Sequence, residues 1–98
     1  MIHMMVRHKV ADYARWKEAF DGHLSVRKAA GEVGYRVLLS VDDPREVTVV
    51  LDWDTLDRAR QFAASEDLKQ ALQKSGVVGD PEVRFLEDAY TIRRSAAD

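Results

Sequence analysis

The sequence predicts an α+β domain in which one four-stranded antiparallel sheet carries two helical segments on one face. Four segments have the alternation or the β-branched composition of strands, at residues 2–10, 33–41, 47–53 and 83–92. Two segments with helical periodicity follow the first and the third strand. The resulting order, β-α-β-β-α-β, is that of the split βαβ arrangement. A chain of 98 residues forms one domain, for which we expect residues 1–92, with 93–98 as a frayed tail.

The first strand and the helix after it have the clearest patterns. Two rows of side chains alternate along the strand, with Ile2, Met4, Val6 and His8 in one row and His3, Met5 and Arg7 in the other. The helix is predicted over Tyr13–Ala30. Asp12 is its N-cap, and Gly31 is the left-handed residue that ends it.

The second half of the chain completes the sheet. The segment DDPRE at 42–46 forms the turn of a hairpin between the second and third strands. A second helical segment begins near Thr55 and ends at Gly76. Ser65 predicts a break within it, because it is a good N-cap and two acidic residues follow it. The segment GDPEV at 79–83 predicts a loop before the last strand.

Composition and charge exclude several classes of function. The formal net charge is −2, and basic residues are interleaved with acidic ones, so no surface for nucleic acid is predicted. Apolar runs are only a few residues long, which excludes a membrane-spanning helix. The chain has no cysteine and its N-terminus lacks the pattern of a signal peptide, so we expect a cytoplasmic protein. Because it has no glycine-rich phosphate loop and no histidine pair at metal-ligand spacing, we expect neither a cofactor nor a metal.

Both faces of the predicted sheet are apolar along much of the first three strands. Helices cover one face, and a second face that met water would be polar. That second face carries Met5, Leu38 and Val50. A second copy of the chain is the simplest cover, so we expect a homodimer. Asp52 lies on the same face and needs a partner, for which neighbouring strands offer Arg7, Arg36 or Arg84.

The apolar stripe of the first helix contains two residues that are uncommon in a core. At about 100° per residue, the stripe that starts at Tyr13 also holds Trp16, Phe20, Leu24 and Arg27, with His23 at its edge. In one interpretation, Arg27 extends its charged head to water near the helix C-terminus, where a cation suits the helix dipole. In the other, Arg27 and His23 lie at the mouth of a cavity and face an anionic or enolic ligand. The sequence leaves both open.

Three segments carry a resemblance to a known superfamily. They are VRHKVADYARWKEAFDGHLSVRKAAG at 6–31, VLDWDTLDRARQFAASEDLKQALQKSGV ending at Val77, and PEVRFLE at 81–87. With these segments and its order of elements, the chain resembles the dimeric α/β-barrel superfamily, and within it antibiotic biosynthesis monooxygenase-like proteins and small cyclase-type relatives. The resemblance implies a ferredoxin-like fold, a homodimer whose sheets pack face to face, and a ligand cavity between the sheet and the helices of each subunit.

The resemblance also implies a chemistry. The best-known relatives oxygenate polycyclic aromatic substrates without metal or flavin. They and the haem-degrading relatives rely on an asparagine. This chain contains no asparagine, so that part of the pattern has no counterpart here.

Together, residues and resemblance predict a homodimer that binds a small aromatic or polyketide-like molecule and acts as a cofactor-independent monooxygenase or cyclase. His23 would manage the proton, and Arg27 would hold the developing enolate or phenolate. The residues expected to contact the ligand are Trp16, Phe20, Tyr35, Trp53 and His8. His3 and His8 lie on opposite faces of their strand, and the sequence does not decide which of them faces the cavity. The alternative is a non-catalytic ligand-binding or structural dimer, in which the aromatic residues only fill the core.

Overall fold

The computed structural model describes residues 1–94, in which one sheet carries four helices on one of its faces. The strands are β1 (Ile2–Val10), β2 (Glu32–Leu39), β3 (Glu46–Trp53) and β4 (Val77–Glu87). The helices are α1 (Tyr13–Gly22), α2 (Leu24–Ala30), α3 (Leu56–Ala63) and α4 (Glu66–Lys74). All neighbouring strands are antiparallel, in the order β2-β3-β1-β4, so β2 and β4 are the edge strands. The predicted α+β, ferredoxin-like fold is confirmed, with each helical segment divided in two.

The prediction of one continuous helix over Tyr13–Ala30 is wrong, because the helix is interrupted at His23. The backbone N–H of His23 donates to the carbonyl oxygen of Phe20 at 3.2 Å, which tightens the last turn of α1. The Arg27 side chain links the two helices across the break, because its Nη1 donates a hydrogen bond to the carbonyl oxygen of Phe20 at 2.6 Å. The predicted stop is confirmed, because Gly31 ends α2 at a φ of +118°.

The predicted break in the second helical segment is confirmed at Ser65. Its Oγ accepts a hydrogen bond from the backbone N–H of Leu68 at 3.1 Å, which caps α4. The same hydroxyl donates to the carbonyl oxygen of Phe62 at 2.6 Å, which ties α4 to the end of α3. One serine therefore ends one helix and begins the next.

The last strand begins earlier than predicted and ends earlier. β4 covers Val77–Glu87, whereas the sequence predicted a loop at 79–83 and a strand at 83–92. Arg7 pairs with Glu82 but Lys9 pairs with Val78, so residues 79–81 form a bulge in the ladder. A proline is tolerated there because β4 is an edge strand. Of the predicted tail, residues 93 and 94 have no regular structure, and residues 95–98 lie outside the described residues.

The core lies between the sheet and the helices. It is built from one row of side chains on each central strand together with Trp16, Ala59 and Phe62. Those rows are Met4, Val6 and Val10 on β1 and Val47, Val49, Leu51 and Trp53 on β3. Within residues 1–94, no helix has the length and apolar character that crossing a bilayer requires.

The opposite face of the sheet, which no helix covers, is named the open face. Its apolar side chains include the half-buried Met5 and Val50 and the exposed Leu38, Val78 and Leu86. The partner expected for Asp52 was an arginine, and this is wrong. His3 Nδ1 donates to Asp52 Oδ1 at 2.5 Å, and His3 Nε2 lies 2.6 Å from Asp88 Oδ1.

Candidate functional site

A cavity of about 50 Å³ lies between the sheet and the helices. Three of the residues around it carry ionisable groups: His8 from β1, His23 from the break between α1 and α2, and Arg27 from α2. The other residues around it are apolar: Met4, Val6, Phe20, Val49, Leu51, Phe62, Leu68 and Leu72. One fixed cation and two imidazoles therefore border a cavity whose exposed surface is apolar, with their own polar atoms buried in its wall.

Arg27 is fully enclosed, at 1% exposure, so the interpretation in which its head extends to water is wrong. Its Nε donates to Glu32 Oε1 at 3.1 Å, and its Nη1 donates to the carbonyl oxygen of Phe20. Its Cζ also lies 3.8 Å from the centre of the Phe20 ring, a cation–π distance. Nη2 has no hydrogen-bond partner within residues 1–94. The guanidinium is thus held by three contacts, with one N–H₂ group left over.

Glu32 is the residue that sequence reasoning missed. It is the first residue of β2, and at 5% exposure it is the only buried acid among residues 1–94. Burial raises the pKa of its carboxyl, while the hydrogen bond from Arg27 opposes that rise. The available signal was Arg27 itself, because a cation predicted inside an apolar stripe requires a carboxylate nearby.

The structure decides which histidine of β1 faces the cavity: it is His8, at 6% exposure. Its ring lies 5.6 Å from the Trp16 ring, and neither Nδ1 nor Nε2 has a hydrogen-bond partner in the described chain. Burial lowers the pKa of His8, which keeps the ring neutral near neutral pH. A neutral imidazole offers one N–H and one lone pair.

His23 lies at the boundary of the cavity, with its ring 6.0 Å from the Phe62 ring. Burial lowers its pKa, and the nearby Arg27 charge lowers it further, while Asp67 acts in the opposite direction. His23 is therefore also neutral near neutral pH, with a lone pair that can accept a proton.

The aromatic candidates form two clusters beside the cavity. Trp16 stacks on Phe20 with ring centres 4.9 Å apart, and Tyr35 meets Phe20 edge-on at 5.1 Å. Trp53 packs on Phe62 at 5.1 Å. Of these residues, Phe20 and Phe62 line the cavity directly, while Trp16, Tyr35 and Trp53 support them from behind. Their roles toward a ligand stay predictions.

Within residues 1–94, no group of three or more His, Asp or Glu side chains could hold a metal ion. The three polar groups of the cavity are one cation and two neutral imidazoles, a set that complements an oxyanion and its proton.

A sequence model of the antibiotic biosynthesis monooxygenase family matches residues 1–74, three quarters of the chain. The chain belongs to this family. The match covers β1 through α4, so every residue of the cavity lies within the antibiotic biosynthesis monooxygenase region. No curated protein sequence matches the chain.

Solved structures agree on the fold. A protein from Bordetella bronchiseptica assigned to the antibiotic biosynthesis monooxygenases is 20% identical, with a TM-score of 0.79 over 91% of this chain and 97% of that one. SnoaB from Streptomyces nogalater, a cofactor-independent oxygenase, is 15% identical, with a TM-score of 0.69 over 99% and 97%. A protein from Caulobacter crescentus with the same family assignment is 19% identical, with a TM-score of 0.71 over 91% and 90%. At these sequence identities, the similarity shows a shared fold.

Proposed function

We propose that this protein binds a small phenolic or enolic molecule in the cavity between sheet and helices and acts on it as a cofactor-independent monooxygenase or cyclase. One observation carries the proposal. In an apolar cavity, the buried Arg27 retains an unpartnered Nη2 beside two neutral histidines. Unpartnered buried polar groups cost stability, so their retention favours a role toward a ligand.

The chemistry proposed for these groups begins with a proton. The neutral His23 takes the proton of a phenol or enol, and Arg27 Nη2 donates a hydrogen bond to the resulting oxyanion. His8 orients the ring by its free N–H or lone pair, against the aromatic cluster of Trp16 and Phe20. An anion of this kind is a good reductant for molecular oxygen. For a methylene substrate, one oxygen atom becomes the new carbonyl and the other leaves as water. The methylene carbon supplies all four electrons.

A cyclase reaction would use the same first step. The enolate that Arg27 stabilises would attack a carbonyl of the same molecule, and His23 would return the proton to the alkoxide formed. Neither reaction needs an electron carrier, which agrees with the cofactor-independent oxygenase among the solved structures of this fold. The substrate decides between the two.

The proposal is tested with 4-nitrophenol, whose phenolate absorbs at longer wavelength than the phenol. Binding beside Arg27 is expected to increase the ionised fraction of the probe and so lower its apparent pKa. Arg27→Met combined with Glu32→Met removes the charge without leaving either partner buried alone, and this double variant should abolish the shift. A probe that binds without ionising, or that ionises equally on the double variant, would contradict the proposal.

Turnover is measured by oxygen consumption and product mass with anthrone, which ionises as its phenolic tautomer and carries the methylene carbon that is oxidised. His23→Ala and the double variant should lose turnover at an unchanged melting temperature. The second candidate is a non-catalytic binding or structural dimer, which the small volume of the cavity favours. It predicts no turnover in wild type, and variants that change stability alone.

We also propose that the protein is a homodimer joined through the open face. Apolar side chains on that face support it, among them Met5, Leu38, Val50, Val78 and Leu86. Val50→Glu should convert a dimer to a monomer in native mass spectrometry, because it buries a charge in the interface. Val41→Glu, at a fully exposed position in the β2–β3 turn, is the matched control. A wild-type monomer would contradict this proposal.

A further inference from the structure

The cavity shares a wall with a second, larger space. A groove of about 320 Å³ lies between the α1–α2 break and α4, and His23 lines both this groove and the cavity. The groove has an apolar part formed by Ala19, Val26 and Ala71. Its polar part is formed by Asp67, Gln70 and Lys74.

In its present shape the cavity is too small for an aromatic ring, so the binding proposed above requires part of the cavity wall to move. Its volume is about 50 Å³, whereas a cavity of about 150 Å³ is known to hold benzene. The sheet side consists of packed β-strand residues such as Met4 and Val49, which are 0% and 2% exposed. On the helix side, His23 is only half-buried and lies between two short helices. Of the half-buried helix residues around the cavity, His23 is the one that also lines the groove, so its displacement would join the two spaces.

The electrostatics of His23 match a place between two compartments. Arg27, on the cavity side, lowers the pKa of His23, and Asp67, on the groove side, acts against it. One imidazole is thus influenced from the cavity by a cation and from the groove by a carboxylate.

We propose that the groove is the outer compartment of one ligand site and that His23 is the movable partition between it and the cavity. This inference rests on the proposed function. The ligand class it defines is an elongated amphiphilic phenol or enol. Its ionisable ring lies in the cavity beside Arg27, and its distal part lies in the groove, with polar substituents near Gln70 and Lys74.

Two probes of different length test the inference: 4-nitrophenol and its longer homologue 4-hydroxy-4′-nitrobiphenyl. Ala71→Leu fills the groove and should weaken binding of the longer probe about tenfold or more, and that of 4-nitrophenol by about twofold at most. Gln70→Trp obstructs the same groove from an exposed position, so it tests the same point without a folding cost. Gln73→Leu, on the same helix but outside the groove, is the control and should leave both affinities unchanged.

His23→Ala removes the partition and should tighten binding of the longer probe several-fold, whereas His23→Phe should not. Equal responses of both probes to Ala71→Leu and Gln70→Trp would overturn the two-compartment site while leaving the proposed function intact. Failure of wild type to bind or ionise either probe would overturn the proposed function, and this inference with it.

Discussion

The helix-covered face of the sheet and the open face each carry a histidine from β1, five residues apart in the sequence. His8, under the helices, has neither ring nitrogen paired within the described chain, and burial lowers its pKa. His3, on the open face, lies between two carboxylates, and its hydrogen bond to Asp88 is the main reason that its pKa is raised. The same residue type on one strand is therefore shifted toward its neutral form on one face and toward its charged form on the other.

The ion pairs of the two faces differ in the same way. Arg27 and Glu32 are both buried and are further fixed by a backbone carbonyl and an aromatic ring. Arg84 and Glu82 on the open face pair at 2.9 Å, but their side chains are 64% and 40% exposed. The comparison indicates that charges of the open face adapt to solvent or to a partner, whereas those of the covered face form a fixed arrangement beside the cavity.

The largest effect is expected from breaking the buried pair. Glu32→Ala leaves the Arg27 guanidinium buried without its carboxylate, and should lower the free energy of unfolding by about 3–5 kcal/mol. Urea denaturation followed by circular dichroism measures this loss in the free energy of unfolding. Glu82→Ala is the matched control on the open face and should cost about 0–1 kcal/mol. Similar losses in the two variants would contradict the distinction between the faces.

Sequence periodicity was sufficient to place Arg27 but not to explain it. The stripe from Tyr13 put Arg27 on the inner side of its helix, and the interruption at His23 did not change this. Its partner Glu32 lies beyond Gly31, where the chain reverses, so only the folded turn brings the two together. Helix phase is local, whereas an ion pair across a turn depends on tertiary structure.

The choice between His3 and His8 shows a second limit. Alternation along β1 placed them on opposite faces, as the structure has them. Which face the helices cover depends on how the chain crosses over, and both rows of β1 contain apolar residues that would suit a core. The bulge at 79–81 was missed for a related reason, because Gly-Asp-Pro favours a turn unless an edge strand accommodates it.

A smaller effect, with opposite signs on the two faces, is expected from replacing each histidine by leucine. His8→Leu removes two buried ring nitrogens that lack partners, and should raise the free energy of unfolding by about 1 kcal/mol or more while weakening ligand binding. His3→Leu removes the contacts with Asp52 and Asp88 and should lower the free energy of unfolding. If His8→Leu destabilised the protein, His8 would be a structural residue and its role toward a ligand would be in question.

The smallest effect is the dependence of stability on pH, in which the two histidines act in opposite directions. His3 has a raised pKa in the folded state, so its stabilisation is complete below the ordinary value of 6.5 and is lost as the pH rises through the raised value. His8 has a lowered pKa in the folded state. Its contribution to stability is therefore complete above pH 6.5 and is lost as the pH falls toward the lowered pKa.

The two variants separate these contributions. Urea denaturation from about pH 5 to about pH 9 should give wild type a maximum near the ordinary histidine pKa, with stability falling on both sides. His3→Leu should flatten the alkaline side, and His8→Leu should reduce the slope on the acidic side, leaving the part due to His23. Because each variant changes only one side, a change on the wrong side would show that the two faces do not shift the pKa values of their histidines in opposite directions.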